Sequence, residues 1–212
     1  MKIKMSESKL LRIWKDTLKE KKFVIEIVIT FILFIVVTSF FTKFLTYNEA
    51  RVGFNLPDPI LNSLPPTDLT YFIFLLIYIS VLFGLSVLIK SPKQFIVAFQ
   101  IYIVVLIFRF CFMYLLPLNP PFGIIPLHDP FVELFGTGVT LLRDLFFSGH
   151  TATLFVFFFV VEKKLYKMFF LNSTVLVASA LLLQHVHYTI DIITAPFVVY
   201  GAYRLIFLLN KK

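Results

Sequence analysis

The stretch FVIEIVITFILFIVVTSFFTKFL, residues 23–45, decides the fold, because Glu26 and Lys43 are its only charged side chains. A helix needs about 20 consecutive apolar residues to cross the hydrocarbon core of a bilayer, so this stretch predicts a membrane-spanning helix. Five later stretches have the same apolar character. They are residues 70–89, 94–116, 146–161, 168–186 and 190–209.

The composition indicates a membrane protein and excludes an ordinary soluble domain. Hydrophobic residues make up 59% of the chain, and 28 of its 212 residues are Phe, far above the usual content of soluble domains. Six crossings with short connections use nearly all of this length. We therefore predict an all-α, integral membrane bundle of six transmembrane helices, formed by one domain at residues 23–212 and preceded by a basic segment at residues 1–22.

The N-terminal segment, residues 1–22, contains eight Lys and Arg residues. Leu10, Leu11, Trp14 and Leu18 would share one face of a helix there. A helix with a basic face and an apolar face binds anionic lipid surfaces, which predicts a short interfacial helix. The alternative is a solvated tail. The net charge of +8 lies in such clusters at the borders of apolar stretches, which favours topology signals over nucleic-acid binding.

Basic residues also predict the orientation of the bundle, because cytoplasmic connections retain Lys and Arg. The N-terminal segment and every second connection are basic, whereas the connections between them contain only Arg51 and Arg143, with Lys43 at a border. Both termini are therefore predicted to be cytoplasmic, and the other connections face the exterior or a lumen. The remaining cytoplasmic basic residues are Lys90, Lys93, Lys163, Lys164, Lys167, Lys211 and Lys212.

All four histidines fall at the outer face under this orientation, together with Asp144 and Asp191. Ionisable groups at membrane helices are costly, so several at one depth indicate a functional site. For His128, solvation in the headgroup region is the favoured interpretation. Nine prolines stiffen the two long outer connections, which predicts a lid or vestibule above the site. They are Pro57, Pro59, Pro65, Pro66, Pro117, Pro120, Pro121, Pro126 and Pro130.

The first motif is DLFFSGHT, residues 144–151, which runs directly into the fourth predicted span. Ser148 is a natural N-cap, and Gly149 lets another group approach the backbone closely. The unpaired amides and the positive end of this helix would then face an anion, with His150 beside it. The motif therefore predicts an anion site at the start of a helix.

The second motif is HYTID, residues 187–191. On a helix, the i, i+4 spacing places the carboxylate of Asp191 beside the imidazole of His187. Such a carboxylate fixes the tautomer of the ring and stabilises its cationic form, as a nucleophilic or basic histidine requires. His185 lies two residues earlier and would point away from His187, which makes it a weaker candidate.

Together, the two motifs resemble the catalytic residues of the type 2 phosphatidic acid phosphatase (PAP2) superfamily. More closely, they are similar to two signature motifs of its sphingomyelin synthase branch, which is also built on six membrane helices. Leu56-Pro57-Asp58 and Arg109 are similar to further motifs of that branch. Two ordered motifs are more specific than either one alone.

This resemblance implies a catalytic set of His150, His187 and Asp191, with no cofactor and no metal. The candidate phosphate-binding residues are Ser148, Gly149, Arg109 and Arg143. Asp144, Thr151, Tyr188, His185 and Asp58 are the candidate supporting residues.

The predicted site is poor in cations. The Lys-x6-Arg-Pro motif of the phosphatase branch is absent, and its Ser-Arg pair before the second histidine falls on Ala180 and Leu181. A phosphate monoester carries nearly two charges and requires several bases, whereas a phosphodiester carries one. We therefore predict a phospholipid diester as donor. Arg109, within the third span, is either a phosphate clamp or a side chain that snorkels to the interface.

In the predicted mechanism, His187 attacks the donor phosphorus to form a phosphohistidine, and Asp191 stabilises the imidazolium. His150 protonates the leaving diacylglycerol alkoxide and then activates an incoming hydroxyl. A ceramide-like acceptor makes the protein a lipid phosphotransferase. Water as the acceptor makes it a lipid phosphatase or a phospholipase C-type hydrolase. The predicted partners are membrane lipids, namely the phospholipid donor and ceramide or a diacylglycerol-type lipid, at an extracytoplasmic or lumenal active site.

Two other classes of protein are alternatives. A metal-dependent hydrolase would use the histidines and nearby Asp residues as ligands, although no His-x3-His or His-Glu-x2-His spacing occurs in the sequence. A transporter with a proton-relaying His/Asp pair would place ionisable groups at the membrane midplane and show a repeat between its halves. The sequence shows neither feature.

We expect a reporter inserted after Lys164, or fused to the C-terminus, to be cytoplasmic, and one inserted near Pro121 to lie on the opposite side, because most Lys and Arg residues are assigned to the cytoplasmic side. Protease protection in sealed vesicles measures this. An outside position for the insertion at Lys164 would place the histidines at the cytoplasmic face and contradict the predicted site.

Overall fold

The computed structural model describes residues 7–128, 138 and 140–211. Residues 1–6 of the predicted interfacial segment, Pro130 and Lys212 lie outside the described residues. Within the described part, the regular secondary structure is helical, except for an isolated β-bridge between Phe54 and Leu118. Its helices are α1 (Glu7–Thr17), α2 (Lys21–Glu49), α3 (Pro59–Asn62), α4 (Thr70–Leu88), α5 (Pro92–Leu115), α6 (Gly149–Val160), α7 (Lys164–Leu183) and α8 (Thr189–Leu209).

The all-α prediction is confirmed for these residues, and the fold is consistent with an integral membrane protein. Five of the described helices are long and apolar enough to cross a membrane, namely α2, α4, α5, α7 and α8. Helix α6 is apolar but has only 12 residues. At a rise of 1.5 Å per residue it is about 18 Å long, shorter than the roughly 30 Å of a bilayer core. The count of six spans therefore stays a prediction.

The predicted span 168–186 is wrong at both ends, because the helix starts earlier and stops at Leu183. The N–H of His185 donates to the carbonyl of Leu182 at 3.0 Å, and the N–H of Val186 donates to that of Leu181 at 3.0 Å. This pair of bonds closes a helix C-terminus with one residue in the left-handed region. His185 takes that conformation, with φ of 56°, so the helix ends before the predicted boundary at residue 186.

The long helices alternate in direction. One end of the bundle, called here the lysine end, contains α1, the α4–α5 turn, the α6–α7 turn and the end of α8. Trp14 Nε1 donates to the carbonyl oxygen of Ile89 at 2.8 Å. Lys93 pairs with Glu20 at 3.4 Å, and Gln94 hydrogen-bonds Glu162. The opposite end, called the site end, contains both sequence motifs.

Helix α6 lies inside the bundle, where it packs against α4, α5, α7 and α8. Its buried side chains, among them Ala152, Val156 and Phe157, belong to the largest core cluster. Val105 of α5 and Val199 of α8 are part of the same cluster. Helix α2 instead packs along α5 at the edge. The shortest of the bundle helices is therefore the most enclosed one, and its start is held from several sides.

The two long connections at the site end pair with each other. The N–H of Phe54 donates to the carbonyl of Pro117 at 2.8 Å, and the N–H of Asn119 donates back to the carbonyl of Phe54 at 2.9 Å. The Asn119 side chain donates to the carbonyl of Gly53 at 2.8 Å. These bonds join the proline-rich connections into one cap over the site end.

Gln184 connects this cap to the bundle, and its replacement should destabilise the fold. It is fully buried, accepts from the N–H of Leu69 at 3.0 Å, and donates to the Thr70 hydroxyl at 2.8 Å. A Gln184→Leu variant leaves these groups unpaired, which costs about 1 to 3 kcal/mol. We expect a lower thermal midpoint in detergent, whereas exposed Asn62→Leu should have little effect. Equal midpoints for the two variants would contradict this role.

Candidate active site

The start of α6 forms one half of the candidate site. Ser148 is the N-cap, as the sequence predicts, and it is fully buried. Its Oγ accepts from the N–H of Thr151 at 3.4 Å and from the Thr151 hydroxyl at 3.1 Å. The cap holds the first turn so that the amides of Gly149 and His150 lie at the positive end of the helix.

Arg109 of α5 lies against this helix start. Its Nε donates to the carbonyl of Phe147 at 3.2 Å, and its Nη2 pairs with the carboxylate of Asp144 at 2.5 Å. The guanidinium occupies the space that a Cβ on Gly149 would need. Gly149 therefore permits the close approach that the sequence predicts, and the group that approaches is Arg109.

His187 and Asp191 form the other half, but not as two residues of one helix. His187 precedes α8, whose N-cap is Tyr188. The carboxylate of Asp191 turns back, so that its Oδ2 accepts from the N–H of Tyr188 at 3.1 Å and lies 3.2 Å from Nδ1 of His187. The predicted contact between His187 and Asp191 is present. The prediction that helical spacing produces this contact is wrong. A capping interaction at the helix start produces it.

The two halves are joined by the backbone. The N–H of Ser148 donates to the carbonyl oxygen of Asp191 at 3.2 Å. The rings of His150 and His187 consequently lie 6.5 Å apart between centroids. This separation leaves room for a reacting phosphorus atom between an acid–base group and a nucleophile. Nδ1 of His187 faces Asp191, so its Nε2 is the nitrogen available for attack.

Arg143 is held away from this pair by the end of α2. Its Nη1 donates to the backbone carbonyl of Glu49 at 2.8 Å, and the Glu49 carboxylate accepts from its N–H at 2.9 Å. Asn48 also donates to the carbonyl of Arg143 at 2.8 Å. Of the two candidate arginines, Arg109 is therefore the one that the fold brings beside His150.

The other two histidines make contacts of a different kind. His185 is buried, with Nδ1 at 2.8 Å from the carbonyl of Phe122 and Nε2 at 3.0 Å from that of Leu64. It thereby ties the α7–α8 turn to both long connections. His128 Nδ1 lies 2.7 Å from the hydroxyl of Thr140.

Two supporting candidates hold the second motif from outside. The Tyr188 hydroxyl donates to the carbonyl of Asn119 at 3.1 Å, and Asp58 accepts from the N–H of Thr189 at 2.7 Å. Among the described residues, no group of three or more His, Cys, Asp or Glu side chains could hold a metal ion.

A cavity of about 630 Å³ opens from the site into the bundle, and sequence reasoning did not identify its lining. Arg109, Asp144, Gly149 and His150 line its polar part. Apolar residues of α2, α4, α5 and α6 line most of the remainder. Residues that line a groove and residues that face lipid are both apolar, so no signal in the sequence separates them.

Glu49 was not predicted as a residue of the site. Its charge, opposite to that of Arg143, is a usable signal in the sequence.

Residues 143–208 match a family model described as PAP2 superfamily C-terminal. The matched region contains both motifs and both halves of the site. The match supports the PAP2 superfamily, and with it an enzyme that acts on phosphorus-containing lipid groups by phosphatase or phosphotransferase chemistry. No match was found among curated proteins. The sphingomyelin synthase-like branch is a finer assignment that stays a prediction.

The contact between Gly149 and Arg109 can be tested by adding one methyl group. We expect Gly149→Ala to displace the guanidinium and to lower phospholipid turnover by about tenfold or more, because small displacements in an active site are costly. Gly201→Ala is the matched control, since a Cβ there meets no other group within 4 Å. Initial rates at matched expression measure the effect. Unchanged turnover in Gly149→Ala would show that the position of Arg109 is unimportant.

Proposed function

We propose that this protein is a lipid phosphotransferase. It moves a phospho-headgroup from a phosphodiester phospholipid, through a phosphohistidine, to the hydroxyl of a ceramide-like lipid. The observation that carries this proposal is the cavity, because it joins His150 and Arg109 to a long apolar groove.

The groove follows one face each of α4, α5 and α6, with Phe34 of α2 at its side. Arg109 and Ala98 mark its two ends along α5, and eleven residues of helix correspond to a length of about 16 Å. Leu82 lines the groove and is 68% exposed, so the groove reaches the outer surface of the bundle. A water-soluble phosphoester needs no such apolar extension, whereas a lipid with an alkyl chain does. The apolar lining residues are Phe34, Ile77, Tyr78, Val81, Leu82, Leu85, Ala98, Phe99, Tyr102, Val156 and Phe157.

The chemistry is assigned to the paired histidines. Nε2 of His187 attacks phosphorus and the bond to the diacylglycerol oxygen breaks, while His150 gives that oxygen a proton. Asp191 stabilises the imidazolium, which is the cationic form of the phosphorylated ring. His150 then removes the proton of the acceptor hydroxyl, whose oxygen attacks phosphorus. The bond from phosphorus to nitrogen breaks, and His187 is restored.

The charges around the site support a diester as donor. Arg109 already pairs with Asp144, and Arg143 with Glu49, so neither arginine brings an uncompensated charge. The positive end of α6 and one partly neutralised guanidinium match a single negative charge better than two.

The membrane arrangement is part of the proposal. In it, α6 completes a set of six spans, both termini are cytoplasmic, and the site lies at the extracytoplasmic or lumenal face. The gathering of basic residues at the lysine end supports this orientation, since Lys and Arg accumulate on the cytoplasmic side. The domain limits at residues 23–212, with α1 on the lipid surface, are proposed on the same basis.

Lipid mass spectrometry of a host that lacks related enzymes tests the proposal. With ceramide supplied, we expect a new phosphosphingolipid and diacylglycerol. We expect purified protein to act on phosphatidylcholine or phosphatidylethanolamine about tenfold to a hundredfold faster than on phosphatidic acid, since an unpaired extra charge costs on the order of 1 to 3 kcal/mol. EDTA should have no effect. His187→Ala is the inactive control.

Each contrary result identifies another reaction. Diacylglycerol with a released phosphoalcohol and no new sphingolipid would mean a phospholipase C-type hydrolase. Faster release of phosphate from phosphatidic acid would mean a lipid phosphatase. Loss of activity with EDTA would mean a metal-dependent hydrolase, and retained activity in a folded His187→Ala protein would refute the proposed nucleophile.

A further inference from the structure

A buried carboxylate in the α2–α4 connection holds the start of α8. Asp58 is only 7% exposed, although it lies in a connection at the site end. One of its oxygens accepts from the N–H of Leu61 at 3.0 Å and caps the short helix α3. The same carboxylate crosses to the second motif, where it binds Thr189 twice.

The bonds to Thr189 are short and use both carboxylate oxygens. Oδ2 accepts from the Thr189 N–H at 2.7 Å, and Oδ1 accepts from the Thr189 hydroxyl at 3.0 Å. Thr189 is the first residue of α8, two positions after His187 and two before Asp191. The α2–α4 connection therefore binds the middle of the turn formed by residues 187–191.

The backbone donors at the start of α8 show what this contact does. A helix leaves its first amides without partners inside the helix. Asp191 accepts from the N–H of Tyr188, and Asp58 accepts from the N–H of the next residue. His187 precedes the helix, so the conformation of residues 188 and 189 determines where its ring lies.

We propose that Asp58 is a positioning residue for His187, an inference that rests on the proposed function. By holding the amide and hydroxyl of Thr189, Asp58 fixes the turn in which Asp191 contacts Nδ1 of His187. The Nε2 atom of His187 is then aimed at phosphorus. Asp58 itself contacts neither the histidine ring nor the substrate in this role.

The carboxylate is charged under ordinary conditions. Burial raises the pKa of the Asp58 carboxyl, but hydrogen bonds from Leu61 and Thr189 lower that pKa by more, so it lies below its usual value. A group whose pKa is lowered on folding stabilises the fold at pH values above its unfolded-state pKa. This stabilisation is lost only as the pH falls through the lowered, folded-state pKa. The contact is therefore present throughout the neutral range.

The decisive variant is Asp58→Asn, which keeps the shape of the side chain but loses the charge and one acceptor. We expect kcat to fall by about tenfold or more, with KM within about twofold, because the loss acts on the alignment of the nucleophile. Thr189→Val removes the hydroxyl bond alone and should show a smaller loss of kcat. It also serves as the second variant if Asp58→Asn does not fold.

Asp68→Asn is the matched control. Asp68 lies in the same connection and accepts from the N–H of Thr70 at 3.0 Å, but it is exposed, and no hydrogen bond or ion pair joins it to α8. We expect it to leave kcat unchanged. Residues that act as a unit are non-additive, so the double variant Asp58→Asn, Asp191→Asn should be hardly slower than Asp191→Asn alone.

Hydrogen–deuterium exchange of peptides that cover residues 186–192 provides a measurement independent of catalysis. We expect faster exchange in Asp58→Asn and none of this change in Asp68→Asn. Unchanged exchange, or faster exchange with unchanged kcat, would overturn the positioning role, as would a rise in KM at constant kcat. If the unaltered protein turns over no phospholipid, the proposed function fails, and the exchange result still shows whether Asp58 holds the turn.

Discussion

The candidate site depends on one backbone hydrogen bond, from the N–H of Ser148 to the carbonyl oxygen of Asp191 at 3.2 Å. It joins the starts of α6 and α8, so two positive helix ends lie side by side. Each helix start supplies one histidine. The bond lies among fully buried groups, where an unpaired donor is costly, and its loss is therefore disfavoured. This bond therefore holds the start of α6, a helix of only 12 residues that packs against four other helices.

Around this junction, the protein balances its charges locally. Arg109 pairs with Asp144 and Arg143 pairs with Glu49, while Asp191 faces His187. A buried charge without a partner would be strongly unfavourable in an apolar bundle. The same pairing supports the proposed preference for a singly charged phosphodiester, because neither arginine brings an uncompensated charge.

The connections at the site end organise the second motif instead of only covering it. Three bonds between a side chain and the backbone link the proline-rich segments to the turn between α7 and α8. The Tyr188 hydroxyl donates to the carbonyl of Asn119, Asp58 accepts from the N–H of Thr189, and the Gln184 side chain donates to the carbonyl of Ile125. Such bonds are directional, so they fix the turn more precisely than apolar packing does. An apolar groove therefore adjoins a turn at residues 187–191 that is held in one conformation.

The sequence by itself determined the all-α class, most of the apolar helices, the N-cap at Ser148 and the identity of the two histidine motifs, because hydrophobic length and capping are local properties. Only the tertiary structure decided which candidate arginine lies against the start of α6, and only it placed the end of α7 at Leu183. It also decided why His187 meets Asp191, through a cap instead of helical spacing, and which apolar faces line the groove. The position of the arginine and the lining of the groove depend on contacts between residues far apart in the chain. The helix end and the cap are local, but they depend on backbone conformations that a hydrophobic pattern does not record.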